Sequence, residues 1–486
     1  MEVNDNVIQT VDYSELLRQD VSRLMTPLKE YHAIYAPLFG RREHREHSEF
    51  YLQGLLSPDM ERKSIEPMVL HLKGADENVV RAVQQFVGEG NWKDDPIRKR
   101  HWQEVEKTLG EDDGVLMLDG SDFPKQGNHS AGVKRQYCGQ LGKRANCQAG
   151  VFAGYASSKG YTLLDSGLYI PEVWFGDDYK DRREKCRIPE DVRFQTKNEL
   201  AWEMIDGIIG EGTLRFRWVT GDEAFGCDTW LLDQIASQGR WYFMEVPINT
   251  QIWIHRPETT IPPWSGRGAK PKVPRLLEGE PAPNRVDAIA GFLSADCWSR
   301  HTIKEGAKGP IVADFAAFRV NNVRNGLPGS EVWLILRRDV MTGEVKFYLS
   351  NAPAETELTT LVRISGMRWP IETCFEDGKQ MLGMGDYEVR SWIGWNHHMT
   401  LCMLAHHFLV RLQLEFKKKP LNLTLPQVLL LLTVVLPRRE VEFEAVVAVL
   451  SYRIIHNERA YQSHRRKRLR TLAALGEPRP VQNVSL

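Results

Sequence analysis

Val115-Leu-Met-Leu-Asp119-Gly120 decides the fold: four consecutive apolar residues run into an aspartate backed by a glycine. A central strand buried on both faces reads as an uninterrupted apolar run, and a charge at its end marks the functional edge of a sheet. Downstream, Asn146 to Ala156 and Gly160 to Ile170 are two more strand-like runs, joined by the hairpin Ser157-Ser-Lys-Gly160. Thr196 to Ile209 carries Leu200, Met204 and Ile208 at helical spacing, and Leu214 to Val219 is a short strand ending at Thr220-Gly-Asp222. Asp228 to Ser237 reads as a helix capped by Asp228 or Thr229, and Trp241 to Val246 is a fifth strand. Strand, strand, strand, helix, strand, helix, strand predicts a mixed five-stranded α/β sheet over residues 111–246.

Outward from this core the patterning changes. Residues 1–110 are helical in period, with two short amphipathic helices between Met60 and Phe86. They form either a solvated helical face or a DNA-docking or dimerising region, the charged cluster Arg41 to Glu46 suiting both. Residues 247–350 break the rhythm with Pro257, Pro262, Pro263, Pro271 and Pro274. A basic cluster (Arg267, Lys270, Lys272, Arg275) follows, and then come the strand-like runs Ile311 to Val320, Val332 to Arg337 and Val345 to Leu349. This predicts a β-rich insertion within the α/β domain. Helical patterning returns over 351–415 as the second part of the core, and 416–486 is helical and then basic. From 451 to 486 eight Lys or Arg stand against two Asp or Glu.

The whole chain is nearly neutral: Lys plus Arg is 63 and Asp plus Glu 64 over 486 residues. A bulk polycation is excluded, so contact with nucleic acid has to come from local basic patches. Val428 to Leu436, fenced by Pro426 and Pro437, is the strongest apolar run and is too short to cross a bilayer. The polar Met1 to Asp20 is no signal peptide, and seven cysteines without a C-x-x-C pair fit neither a disulfide framework nor a zinc site. These features predict a cytoplasmic protein.

Asp119 and Asp222 both stand at predicted strand ends, where side chains of α/β sheets point into the ligand crevice. Two carboxylates brought together repel unless a proton or a metal neutralises them. All-oxygen ligands favour Mg²⁺ or Mn²⁺, and a third carboxylate would let two ions clamp an in-line phosphoryl transfer. Arg368-Trp-Pro-Ile-Glu372 supplies it: Arg368 and Glu372 share a helical face, Lys379 lies two turns on, and Pro370 fits a helix start. In isolation a strand-end Asp is more often a turn former, and such a charged row more often a surface ladder; only the joint arrangement lifts them. Glu376 and Asp122 are nearby alternatives. His397, His398, His406 and His407 lack ligand spacing and read as core or interface residues. Neither a G-x-S-x-G elbow nor a Walker loop is present.

Leu118 to Gly127 followed by Val133 to Gly142 resembles the first catalytic block of bacterial insertion-sequence transposases, and Gly221 to Gly226 resembles the second. Arg368 to Lys379 is similar to the signature helix Tyr-x2-Arg-x3-Glu-x6-Lys of the insertion-sequence-four superfamily. Tyr387 to Trp392, the His-rich helix after it and Tyr51 to Lys63 resemble its seven-hundred-and-one (SRSO-type) branch. The resemblance implies a ribonuclease H-like core with a β-rich insertion and a catalytic, metal-holding triad of Asp119, Asp222 and Glu372 with two divalent ions. It further implies a cut-and-paste transposase, nucleoid-associated, acting as a homodimer on double-stranded DNA at terminal inverted repeats and target. Arg368 and Lys379 would hold DNA phosphates, with Lys125, Arg135, Arg267, Lys270 and Lys272 as further DNA contacts. Trp253, Trp264 and Trp298 are the aromatic residues that could take a flipped base if the second strand is cut through a hairpin. Two departures stand out: the signature tyrosine is Ser365, and Gly120 replaces a second aspartate. A metal nuclease without strand transfer and a catalytically silent DNA-binding regulator are the alternatives.

Overall fold

The computed structural model describes residues 25–474 apart from 265, 268, 307–308, 419–422, 434–435 and 437–441. Met1 to Asp20 and the end of the basic C-terminal stretch lie outside the described residues. Five helices come first: α1 (Met25–Tyr35), α2 (Arg42–Leu56), α3 (Ile65–Leu72), α4 (Glu77–Glu89) and α5 (Asp94–Leu109). The strands β1 (Val115–Pro124), β2 (Lys134–Cys138), β3 (Lys143–Ala156) and β4 (Tyr161–Tyr169) follow, then the helices α6 (Lys180–Lys185) and α7 (Lys197–Glu211). Next are β5 (Trp218–Gly221), α8 (Glu223–Gly226), α9 (Thr229–Ser237) and β6 (Trp241–Val246). Thr196 closes a capping box on α7 with Glu199, and Asp228 caps α9 through the Leu231 N–H, which accounts for both helix starts.

The sheet is mixed and larger than the five strands the sequence predicts. In β4-β3-β1-β5-β6 the first three pair antiparallel and the last three parallel. The free edge of β6 then takes β14 (Val345–Ser350) antiparallel, so the strands after residue 247 continue this same sheet. Beyond β14 come β13 (Leu327–Asp339) and β12 (Gly309–Arg324), then β7 (Gln251–Trp253) and β10 (Asn284–Arg285), with β11 (Ser299–Gly306) also on β12. The short β8 (Thr259–Thr260) and β9 (Arg275–Leu276) form a separate hairpin, and α10 (Val286–Phe292) follows β10. β2 was not legible because its residues are mostly polar and exposed; it is specified by pairing with β3.

Both faces of the core strands are covered. α11 (Leu358–Ser365), α12 (Pro370–Met381) and α13 (Trp392–Lys417) succeed the insertion, then α14 (Leu425–Leu432) and α15 (Phe443–Ala474). Phe152 of β3 meets Phe375 of α12 and Trp395 of α13, whereas Gly167, opposite Val151, lies against Leu200 of α7. Gly150 sits beneath Trp395, where a Cβ would stand 3.0 Å from the indole, so the close seat of α13 needs a glycine. No described helix is long and apolar enough to cross a membrane; Val428, Leu429 and Leu432 of α14 are buried.

α13 joins the N-terminal helices to the sheet, and its four histidines are buried structural residues. His397 stacks on Trp92 at 3.5 Å, and His398 bonds the Tyr51 hydroxyl. His406 bonds Thr162, while His407 bridges the hydroxyls of Tyr31 and Thr108. Burial pushes His398 down to about 3, His101 of α5 down to about 4, and His407 well below the ordinary imidazole value. These rings are therefore neutral in the folded protein near pH 7. An unfolded chain binds more protons than the folded one below its ordinary value of about 6.5, so stability falls as the pH drops from there towards 4. For His101 alone the loss by pH 4 is on the order of 3 kcal/mol. Urea unfolding followed across this range is expected to show a falling midpoint below about pH 6.5; a level profile would contradict the neutral histidine layer.

Candidate active site

The pleat of β1 sets the site. Met117, Asp119, Ser121 and Phe123 alternate onto one face, opposite Gly154, Phe152, Gly150 and Gln148 of β3. Phe152 touches Phe375, so this is the face that α12 covers. Helix and strand then rise in step: the seven residues from Glu372 to Lys379 climb about 10.5 Å, and the three from Asp119 to Asp122 about 10 Å. Glu372 consequently stands at the Asp119 end, while Lys379 donates to the carbonyl of Asp122 (3.1 Å) and lies over Phe123.

Asp119 is inside β1, not at its end as the sequence predicts. The ladder with β3 continues to Pro124, whereas the parallel pairing with β5 stops at Met117, so Asp119 lies just past the end of one ladder only. Asp222 does follow β5 directly. It also caps α8, accepting from the Ala224 N–H at 3.0 Å, so it fills the turn-forming role while standing close enough to Asp119 to raise it. Gly226 ends α8 against β6, where a Cβ would collide with the Glu245 carbonyl oxygen.

Arg368 gathers the acids. It lies in the turn between α11 and α12 rather than within the helix, but Trp369 already has helical backbone (φ −52°, ψ −36°), which preserves the four-residue spacing to Glu372. One Nη is 2.8 Å from Glu372 Oε1, the other is 3.7 Å from Asp119 Oδ2, and Nε is 3.7 Å from Glu245 Oε2. Glu245 was missed from sequence. It is 92% buried in β6, takes a 2.7 Å hydrogen bond from Lys346 of β14, and its signal was an acid inside the apolar Tyr242-Phe-Met-Glu-Val246 run.

Burial and the nearby Asp222 carboxylate push Asp119 up to about 7, with Glu372 adding to the rise. The Gly120 N–H (2.7 Å) and Arg368 oppose it without cancelling it. Burial pulls Arg368 down, but Glu372, Glu245 and Asp119 together outweigh that and strengthen its hold on the proton. Beside the acids a cleft of about 270 Å³ runs to the inserted strands, lined by Arg368, Trp369, Lys304, Arg337, Lys346 and Tyr348 among others. Ser365 borders it and donates to the Val362 carbonyl.

The remaining basic residues lie elsewhere. Lys125 is turned to the Tyr387 carbonyl (3.1 Å) and ring (3.3 Å), and burial pushes it down to about 7. Arg135 is exposed on β2, and Arg267, Lys270 and Lys272 are exposed between β8 and β9. Trp253 is buried and donates to Pro281, Lys270 lies over the exposed Trp264, and Arg338 covers Trp298.

Asp119, Asp222 and Glu372 offer only hard oxygen donors, the set that suits Mg²⁺ or Mn²⁺. Among the described residues no three His, Cys, Asp or Glu side chains stand as a ready-made ligand set. The countercharge between Asp119 and Glu372 is Arg368. One guanidinium does not neutralise the group: Asp119 stays raised, and a divalent cation would supply the missing positive charge, so the donor chemistry fits. Removing the Asp119 charge should therefore stabilise the protein in metal-free buffer. Asp119→Asn is expected to raise unfolding stability near pH 8 by up to about 4 kcal/mol, at about 1.4 per unit of raised pKa. A loss of stability in urea melts would contradict the crowding of like charges.

The family model described as DDE superfamily endonuclease matches residues 35–310, more than half of the chain. Asp119 and Asp222 fall inside this stretch, and Glu372 lies beyond it. A probable transposase for insertion sequence element IS701 of Microchaete diplosiphon is 25% identical over 197 residues, 40% of this chain and 47% of that protein. The match thus spans about half the length of that relative. On the extent of the family match, this chain belongs to the DDE superfamily endonucleases.

Proposed function

We propose that this protein is a cut-and-paste DNA transposase whose triad is Asp119, Asp222 and Glu372. The observation that carries the reading is the approach of Asp119 from β1 and Glu372 from α12 to a single arginine, with Asp222 at the end of β5 near enough to help raise Asp119. The order β4-β3-β1-β5-β6, antiparallel and then parallel, supports a ribonuclease H-like core. Two divalent cations held by the triad would neutralise charge developing on the transferring phosphoryl group.

The chain's own residues position the DNA. Arg368 would exchange its bond to Glu372 for the scissile phosphate, and Lys379, anchored on Asp122, would line the path along β1. Water attacks the phosphodiester at the element end, breaking the bond to the 3′ oxygen and leaving a 3′-hydroxyl. That hydroxyl attacks a target phosphodiester in line and displaces the target's own 3′ oxygen. Lys304 and Arg337, in a cleft that also holds Glu245, Asp339 and Glu344, would take the strand beyond the scissile phosphate. Exposed Arg135, Arg267, Lys270 and Lys272 would add phosphate contacts with steep salt dependence. Two ends must be cut together, so the working form is a homodimer on DNA bearing terminal inverted repeats.

The test is cleavage of linear DNA carrying the flanking terminal repeats, with Mg²⁺ or with EDTA. Metal-dependent cutting at the repeat ends is expected, reduced on the order of a thousandfold in Glu372→Gln. A labelled end joined to a plasmid target separates transposase from simple nuclease. Specific binding with no cutting in Mg²⁺ or in Mn²⁺ would favour the regulator.

A further inference from the structure

α15 has two faces of opposite character. Ala445, Val449, Tyr452 and His456 recur every three or four residues and are the covered or partly covered positions, and Arg459 continues this side to Glu77 of α4 at 3.2 Å. Turned half a circle away are Phe443, Val447, Leu450, Ile454, Asn457 and Tyr461, all exposed, Phe443 at 77% and Ile454 at 67%. Their spacing alternates four and three, the 3.5-residue period of a coiled-coil seam. No part of the chain among the described residues covers it.

We propose that this seam is a parallel two-stranded coiled-coil interface with a second copy of the same chain. The residue types select the occupant. With Val447, Ile454 and Tyr461 at one core position and Phe443, Leu450 and Asn457 at the other, the central Val447, Leu450 and Ile454 alternate β-branched residues with Leu as in parallel pairs of identical helices. Charge agrees: in a parallel pair Arg453 flanks the seam five residues before Glu458 of the second copy, giving two symmetric opposite-charge contacts, whereas an antiparallel pair sets Arg453 near Arg453 and Glu444 near Glu458. Asn457 meets its own counterpart only in the unshifted register. The seam is about 27 Å long, short for a zipper, so the pairing is weak alone and strengthens when DNA holds both copies.

The pairing has a consequence for DNA. From residue 460 to 471 the helix is exposed on all sides and carries Arg465-Arg-Lys-Arg468 and Arg470. Parallel pairing sends both basic segments out of the same end of the coil as a fork that can straddle a duplex.

The inference stands on α15 alone, so loss of cleavage would leave it intact and loss of dimers would leave the triad intact. It is tested with full-length protein in a Cys227→Ser, Cys297→Ser background, alone and with a linear duplex. Sedimentation is expected to show dimers that strengthen on the duplex. Ile454→Asp should weaken them at least about a hundredfold by burying paired charges, with the far-ultraviolet spectrum unchanged. Leu450→Cys is expected to form a disulfide-linked dimer by itself, and Arg453→Glu to weaken association that Glu458→Arg restores. Protein that stays monomeric on the duplex, dimers indifferent to Ile454→Asp, or crosslinks formed only on mixing Leu450→Cys with Ile454→Cys protein would each overturn it.

Discussion

Like charges held a few ångströms apart must be compensated, and here Arg368 compensates three acids from three separate elements. Much of the surrounding architecture follows from this constraint. Pro370 begins α12 where its missing N–H costs nothing, which lets Arg368 stay in the preceding turn and reach back towards β1 and β6. Without Lys346, Glu245 would have to rely on a guanidinium it shares with two other acids, and Lys346 is in place only because β14 pairs with β6. The insertion is thereby tied to the acids through an ion pair as well as through the ladder.

The period-two and buried-run signals located β3, β4 and β6 to within a few residues, and the start of β1, because those segments are specified by their own apolar side chains. The placement of Asp222 after a strand and of Glu372 in a first helical turn was legible for a related reason: each sits beside a local landmark, a glycine turn in one case and a proline helix start in the other. What could not be read depended on pairing. Asp119 was placed at a strand end because Gly120 looks like punctuation, yet the β3 ladder carries the strand on to Pro124. Likewise the union of the inserted strands with the core sheet rests on the β6 edge, and no window of sequence encodes which edge a later strand will choose. Lys125 resembled a free phosphate contact in sequence and is instead spent on Tyr387, a partner 262 residues away.

The same arrangement explains the histidine-rich α13. Four imidazoles lie in a helix buried on nearly every side, and each finds a carbonyl or hydroxyl from α1, α2, α4, α5 or β4 or their flanking segments. The outcome is a polar layer that fixes the N-terminal helices on the sheet in one orientation, because a shifted docking would leave those nitrogens unpaired.

The ladder between β6 and β14 also bears on how such a chain can vary. Val246, where the core is left, and Phe347, near the return, are paired residues on adjacent strands. The closure entropy of the intervening hundred-residue excursion is therefore met inside the sheet, and it grows only logarithmically with length. Segments around β8 and β9 can lengthen, shorten or change charge without moving either anchor. The excursion can thus change its reach while the acids keep their spacing.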